Sequence, residues 1–583
     1  MKTNDERADI AYEFGPFRLD PGNRVLLNSG VAVSLSPKAF ETLLVLIQHA
    51  GAVVDKSVLL KRIWPDTDVE ENSVAKAVSE VRKALGEDPR IGRYVVTASG
   101  RGYRFAASVR TIHPTPETTS LAVLPFVILG GDTAHEYLAV GMADALIAKL
   151  CRVRQLVVRP TSAILKYAGM ERASRLAGTE LDVDAVIEGS IRRAGDRIRV
   201  SVQLTQTRTT STIWAEQFDD DVADVFALED SISGRVMASL TPKLSGQDLL
   251  VATKRYTSDR HAYESYMKGR VFAARRTMAG LLTGIDHFTQ AIERDRRYAL
   301  AYAGLAEAHT MLGISGAALE TLAPARTIPT AKAAATRALE LDRDLVDARV
   351  TLALITFFYD WHYLDAERAF KDILASRQDF GPAHHRYAMV LAFMGRHDEA
   401  LDEIEQARAL EPTSAIINAN AGRVLYHARQ YDAALQRLRT AIEMEPGFSV
   451  THHRLGLVFE AQHLLEPALA AFEEAERLAE GGSVATAAIG CVHALAGRRR
   501  EAQQNLDALI ERAKVRYVSP ALIAEIYTAL DDVDSAFTWL GRACDERSPG
   551  MTALQVNPRF NRLRSDRRFM ALLTRAGIPP IAA

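Results

Sequence analysis

The order of apolar and polar positions divides the chain into three stretches of different period. In the first, Phe14–Leu19, Arg24–Leu27 and Val31–Leu35 are short apolar runs of strand type. Three helical patterns follow. Ser36-Pro37 opens one that continues to His49, with proline in the first turn, where a missing N–H costs nothing. Lys56–Trp64 is a second, stopped by Pro65, and Asn72–Leu85 a third, stopped by Gly86. Tyr94–Thr97 and Tyr103–Ala106 are spaced to pair as a hairpin across Ala98–Gly102. On the third helix Val74, Val78, Val81 and Leu85 share one face and must meet the core. The opposite face carries Asn72, Lys76, Ser79, Glu80 and Lys83, with Ser73 and Arg82 on the flanks. That is a polar, partly basic stripe one helix wide, the shape a major groove admits. Arg101, between Gly100 and Gly102 at the hairpin tip, is placed to reach a phosphate or the minor groove.

The second stretch, residues 120–245, mixes strand and helix patterns. Leu121–Phe126 reads as a buried strand, Ala139–Leu150 as a helix, and Leu156–Arg159 as a strand before a helix capped by Ser162. Val183–Ile191 and Ile198–Leu204 are further strands; in the latter Ile198, Val200, Val202 and Leu204 alternate with Arg199, Ser201 and Gln203. Ile213–Phe218 adds a strand and Asp224–Leu240 a closing helix, which together predict one α/β or α+β domain. Ahead of it, residues 109–119 have two prolines, four threonines and little to bury, and read as a linker.

The third stretch, residues 255–575, is helical and periodic. Ala366, Ala400, Ala434, Ala468, Ala502 and Ala536 recur every 34 residues. Four positions after each stands a large apolar residue: Phe370, Ile404, Leu438, Phe472, Leu506 or Leu540. Twelve positions before the last five stands a small one: Ala388, Gly422, Gly456, Gly490 or Ala524. Small residues let two helices of a unit cross closely; large ones pack the second helix on the next unit. The pattern resembles the tetratricopeptide repeat, with five clear units and degenerate ones before Ala366. The resemblance implies an all-α superhelix whose concave groove takes a protein or peptide partner, or a small-molecule effector.

Residues 12–108 resemble the OmpR/PhoB-type winged-helix effector domain. The likeness is carried by Leu35-Ser-Pro-Lys-Ala-Phe-Glu-Thr-Leu43, Asn72-Ser-Val-Ala-Lys-Ala-Val-Ser-Glu-Val-Arg-Lys-Ala-Leu85 and Thr97-Ala-Ser-Gly-Arg-Gly-Tyr-Arg-Phe105. It implies a winged helix-turn-helix, sequence-specific binding of double-stranded DNA and transcription regulation. Carried over by position, the family's contacts fall on Asn72, Ser73, Lys76, Ser79, Glu80 and Arg82 of the helix and Thr97, Ser99 and Arg101 of the wing, and its wing tyrosine on Tyr103. Lys83 joins them from the polar face. Ser79 and Glu80 stand where family members often place arginines. Residues 12–108 hold 13 Lys/Arg against 11 Asp/Glu, a surplus that predicts modest non-specific affinity and binding as paired copies, a dimer on DNA. No receiver-type acidic pocket precedes the module, so control is expected from the domains that follow it rather than from a phosphorelay onto this chain. Leu121-Ala-Val-Leu-Pro-Phe126, Glu188-Gly-Ser-Ile191 and Trp214-Ala-Glu-Gln-Phe218 make the middle domain similar to TolB-like or FlgO-like segments. The layout as a whole resembles cytoplasmic regulators of the invasion-gene-activator type.

Composition narrows this reading. The 583 residues are 25% charged with a net charge of −2, ordinary for a multidomain globular chain. Three scattered cysteines form neither a disulfide framework nor a CxxC metal site, which fits a reducing cytoplasm. Met1–Ile10 has no apolar signal core, and the longest apolar runs, Thr42–Ile47 and Thr351–Tyr359, are too short to span a bilayer, so no membrane is expected. Nucleophile-elbow, zinc-protease, kinase and cyclase signatures are absent; the expectation is a non-enzyme without metal or cofactor. Asp219-Asp220-Asp221 reads as an exposed acidic loop, Gly130-Gly-Asp132 as a plain turn, and the pairs His384-His385 and His452-His453, 68 residues apart, as solvent-facing groove residues. The alternative function is a signalling adaptor whose winged helix binds protein.

Overall fold

The structure, a computed structural model, describes residues 11–21, 24–28, 31–65, 72–87, 92–112, 120–129, 136–151, 156–170, 173–194, 197–221, 231–236, 256–315, 322–479 and 482–579. Two compact units result, Met1–Glu117 and Thr118–Ala583.

In the first unit β1 (Ala11–Phe14) and β2 (Phe17–Asp20) form a hairpin rather than the single strand expected over Phe14–Leu19. Gly15 makes the turn at φ +56°, with the Tyr94 hydroxyl 2.9 Å from where a Cβ would stand. β3 (Val25–Asn28), β4 (Val31–Val33) and β8 (Arg110–Ile112) complete a sheet ordered β4-β3-β2-β1-β8. β8 lies where the sequence reads as linker: backbone pairing of Arg110–Ile112 with Ala11–Glu13 recruits a segment that has little apolar pattern of its own. Phe14, Phe17, Tyr94 and Phe105 pack through ring contacts of 5.0–5.9 Å. α1 (Pro37–Gln48) starts at the cap residue Ser36, whose hydroxyl accepts the Ala39 N–H at 3.3 Å. α2 (Lys56–Ile63) and α3 (Asn72–Ala84) follow, and Val74, Val78, Val81 and Leu85 are buried as their spacing requires. β5 (Val53–Asp55), β6 (Val95–Ala98) and β7 (Gly102–Phe105) form the wing sheet in the order β5-β7-β6.

The second unit opens with a six-stranded sheet. β9 (Ser120–Val123) and β10 (Val127–Leu129) each pair in parallel with β12 (Ala185–Ala194), so the strand expected over Leu121–Phe126 stops at Val123 and a further one follows it. Pro125 between them has no N–H to give the ladder. The Phe126 N–H turns instead to the Ala139 carbonyl at 3.0 Å, in α4 (Glu136–Leu150). β11 (Val157–Val158), β13 (Arg197–Gln206) and β14 (Thr212–Asp221) complete the order β11-β9-β12-β13-β14. Ile198, Val200, Val202 and Leu204 are buried, as their alternation predicts. Asp219 is not in a loop: it lies within β14 opposite Arg199 and accepts its hydrogen bond at 2.5 Å. Ser162 lies inside the helix Thr161–Ile164, whose cap is Pro160. Of the helix expected over Asp224–Leu240, residues 231–236 are helical and the remainder lies outside the described residues, as does the Gly130–Asp132 turn.

From Arg260 to Asp545 the chain runs as helix pairs. All six period alanines and the six large residues after them are buried. A Cβ on Gly422 would stand 2.6 Å from Leu438, and one on Gly456 2.5 Å from Phe472, so glycine sets how closely those pairs cross. The repeats share a single core with the sheet domain, from Leu121 and Leu146 through Met267 and Phe288 to Leu312. After the last repeat the chain folds back. Met551, Leu554, Phe560, Leu563 and Phe569 join one core with Phe357, Tyr363 and Phe393 of much earlier repeats. Arg559, 7% exposed, bonds Glu460 at 2.5 Å and Glu525 at 2.7 Å, on the first helices of two further repeats. A segment that touches several first helices at once lies across the inner side of the array, where those helices converge.

Candidate nucleic-acid interface

The polar stripe of α3 emerges as its spacing dictates. Asn72, Lys76, Ser79 and Lys83 are exposed, with Ser73 half-buried beside them. Lys76 and Lys83 have no side-chain partner among the described residues. Ala75, which sequence reading passed over, is also exposed at the edge of this face and offers a methyl group. At the wing, Thr97, Ser99 and Arg101 are exposed; Gly100 turns the hairpin at φ +71°, and the Arg101 N–H bonds the Ala98 carbonyl at 3.0 Å. Arg104 is exposed too, on the strand face opposite Phe105, and the period of two could have found it.

Three residues of the sequence-derived set hold the domain together. The Glu80 carboxylate accepts the N–H of Ser36 at 2.6 Å and its hydroxyl at 2.7 Å, tying α3 to the start of α1. Arg82 donates to the Val95 carbonyl and the Thr97 hydroxyl, both at 2.8 Å, tying α3 to the wing. Tyr103 is 6% exposed within β7, opposite Val54 and Thr97. Glu87, just past α3, accepts the Tyr94 N–H at 2.7 Å and the Val95 N–H at 3.0 Å. A polar residue that binds a groove and one that locks two elements look alike on a helical wheel, so periodicity could not separate them.

In the repeats His384 and His385 are not open groove residues, while His452 and His453 are half-buried. His384 and His385 are buried. His384 Nδ1 lies 2.6 Å from the Glu403 carboxylate and Nε2 2.9 Å from the Gln378 carbonyl. Both neighbours offer oxygen atoms, which favour the protonated ring. Burial pushes its pKa down, but Glu403 and Gln378 outweigh that and hold it above the ordinary histidine value. One repeat later Asn418 donates to the Pro412 carbonyl at 3.0 Å, and one further His452 meets the Pro446 carbonyl at 2.8 Å. Each lies six residues after the carbonyl it meets and locks a turn between units. The 68-residue recurrence is thus structural, and no metal-type cluster of His, Cys, Asp and Glu occurs among the described residues. No described helix is long and apolar enough to cross a membrane.

Residues 30–105 match the family described as transcriptional regulatory protein, C terminal; residues 117–235 match the HilA/YgeH-like transcriptional regulator second domain; residues 394–455 match the tetratricopeptide repeat. The chain therefore carries an OmpR/PhoB-type winged helix of the transcriptional-regulator class, a HilA-like regulator domain and C-terminal tetratricopeptide repeats. Its similarity to the transcriptional regulator HilA of Salmonella typhimurium is 24% identity over 403 residues, 67% of this chain and 69% of that protein. The transcriptional regulatory protein RstA of Escherichia coli is 36% identical over 97 residues, 16% of this chain and 41% of that protein. A putative adenylate cyclase 3 of Rhizobium meliloti is 33% identical over 155 residues, 27% of this chain, which spans 26% of that relative's length. Among solved structures, the Klebsiella pneumoniae RstA DNA-binding domain in complex with the RstA box is 33% identical over 16% of this chain and 96% of that chain, with a TM-score of 0.16.

Proposed function

We propose that this protein regulates transcription by binding double-stranded DNA sequence-specifically through α3 and the wing, under the control of its second unit. The observation that carries the reading is the exposed stripe of Asn72, Lys76, Ser79 and Lys83 opposite the buried valines, with Arg101 at the wing tip. The helix enters the major groove; Asn72 and Ser79 meet base edges, Lys76 and Lys83 meet phosphates, and Arg101 reaches the adjacent minor groove. Ala75 supplies apolar contact for a thymine methyl, and Arg104 adds a phosphate contact. Glu80, Arg82 and Tyr103 serve by fixing α3 and the wing in register. The small cationic surplus calls for two copies on a repeated site. The test is a salt-dependent gel shift of the full chain on the DNA upstream of its neighbouring genes. Lys76→Ala and Arg101→Ala are expected to weaken the shift; an unchanged shift rejects this face and leaves the adaptor reading, in which the same surface binds protein.

A further inference from the structure

The C-terminal segment covers the inner side of the later repeats. At the other end of the array, between α4 and the first repeats, a cavity of about 1050 Å³ remains. Small-molecule sites run to roughly 1,000 Å³, so this one has room for a ligand and water. Tyr266, Phe288, Met311 and Leu354 give it an apolar floor, and five arginines and six carboxylates line it. A wall so nearly neutral does not select a highly charged ion.

Some of these charges are paired. Arg270 bonds Asp144 at 2.9 Å and Arg377 bonds Asp379 at 2.8 Å. The side chains of Arg276 and Arg386 make no hydrogen bond or ion pair among the described residues, although both line the cavity. Burial, and after it the charge of Arg276, pushes Arg386 down to about 10, while Glu307 and Glu411 act the other way. Glu307 and Asp347 also line the cavity without a side-chain ion pair. Two guanidinium groups and two carboxyls without ion pairs on one cavity wall offer a bound molecule partners for both signs of charge.

We propose that this cavity binds a small zwitterion of the amino-acid or short-peptide kind, its carboxylate between Arg276 and Arg386 and its ammonium against Glu307 and Asp347. Asp144 and Thr161 of the sheet domain line the same space as His385 and Arg386 of the repeats, so the ligand joins the two. That occupancy alters DNA binding rests on the proposed control by the second unit; binding itself does not.

The experiment is calorimetric titration of the full chain with a panel of free amino acids and triglycine, followed by N-acetylated and C-amidated forms of whichever binds. A saturable heat from at least one zwitterion is expected, with each blocked form at least about tenfold weaker. Arg386→Gln and Glu307→Gln are each expected to weaken binding by about tenfold or more while melting stays near wild type, since each removes a charge that has no ion pair. Arg276→Lys supplies a third variant if one of these fails to fold. No binding across the panel at millimolar concentration, equal binding of blocked forms, or folded variants with unchanged affinity each overturns the proposal. A zwitterion that binds but leaves DNA affinity unaltered overturns control by this cavity and keeps the site.

Discussion

The Glu80 carboxylate takes two hydrogen bonds from one residue, the N–H and the hydroxyl of Ser36, at 2.6 and 2.7 Å. The cap of α1 is thereby bonded to the middle of α3. Hydrogen bonds to a charged group contribute about 1.5–3 kcal/mol. Glu80→Ala is expected to destabilise the first unit by that order, read from denaturant unfolding, while affinity for DNA under folded conditions stays near wild type. A loss of affinity at unchanged stability would return Glu80 to the DNA face.

Arg82 and Lys76 separate in the same way. Arg82→Ala breaks the bonds to Val95 and Thr97 and is expected to lower stability and DNA affinity together. Lys76→Ala removes an exposed cation and is expected to leave stability unchanged while lowering the slope of log affinity against log salt by about one. Gel shifts at three salt concentrations, beside unfolding curves, read both effects.

A Cβ on Gly102 would stand 1.9 Å from the Val54 carbonyl oxygen, so Gly102→Ala must push β5 away from β7. A loss of about 3 kcal/mol or more is expected, since backbone cannot yield as a flexible side chain does. Amide exchange in Val53–Asp55 rising faster than in α1 would mark β5 as the strand displaced.

The second unit is expected to weaken in acid. Burial first, and then nearby arginines, hold His385, His427 and His453 well below the ordinary histidine pKa. Unfolding frees them to take protons near pH 6.5, so stability falls as pH drops below about 6.5 toward their folded values. His384 works against this: its raised pKa contributes stability below about 6.5 that is lost as pH rises through its folded value. Three groups outweigh one, and the helical melting temperature should fall from pH 7 to pH 5. His427→Phe, which keeps the ring contact to Phe393, should flatten that fall.

Arg559→Met leaves Glu460 and Glu525 facing each other without their cation. Breaking a buried ion pair from one side costs about 3–5 kcal/mol. Adding Glu460→Gln and Glu525→Gln is expected to recover part of that loss in urea unfolding, because no unpaired charge then remains.

The elements with strong periods were legible in the sequence. The valine stripe of α3, the alternation of β13 and the period of Ala366 to Ala536 all ended where their spacing put them. What the sequence hid depends on partners distant in the chain. β5 has three residues, too few to show alternation, and forms because Gly102 lets it approach β7. β8 has no apolar pattern and forms because β1 has a free edge. Pro125 follows the end of a strand that hydropathy carried on to Phe126. For Glu80 and Arg82, polarity and family position could not show the bonds to Ser36 and Val95, because they record only that a side chain needs a partner. The histidine pairs misled for the same reason, since the carbonyls they lock six residues earlier have no side-chain signature.

The return of the C-terminal segment across the array changes its thermodynamics. An open stack of repeats behaves as a one-dimensional chain in which units fray from the ends and can be gained or lost one at a time. Here Phe560 joins the core around Phe357, and Arg559 bridges Glu460 and Glu525, so the repeats from Phe357 onward are expected to melt together. Deleting a single 34-residue unit would move Arg559 one full repeat away from one of its carboxylates. A change in repeat number between those two carboxylates is therefore expected to cost this bridge.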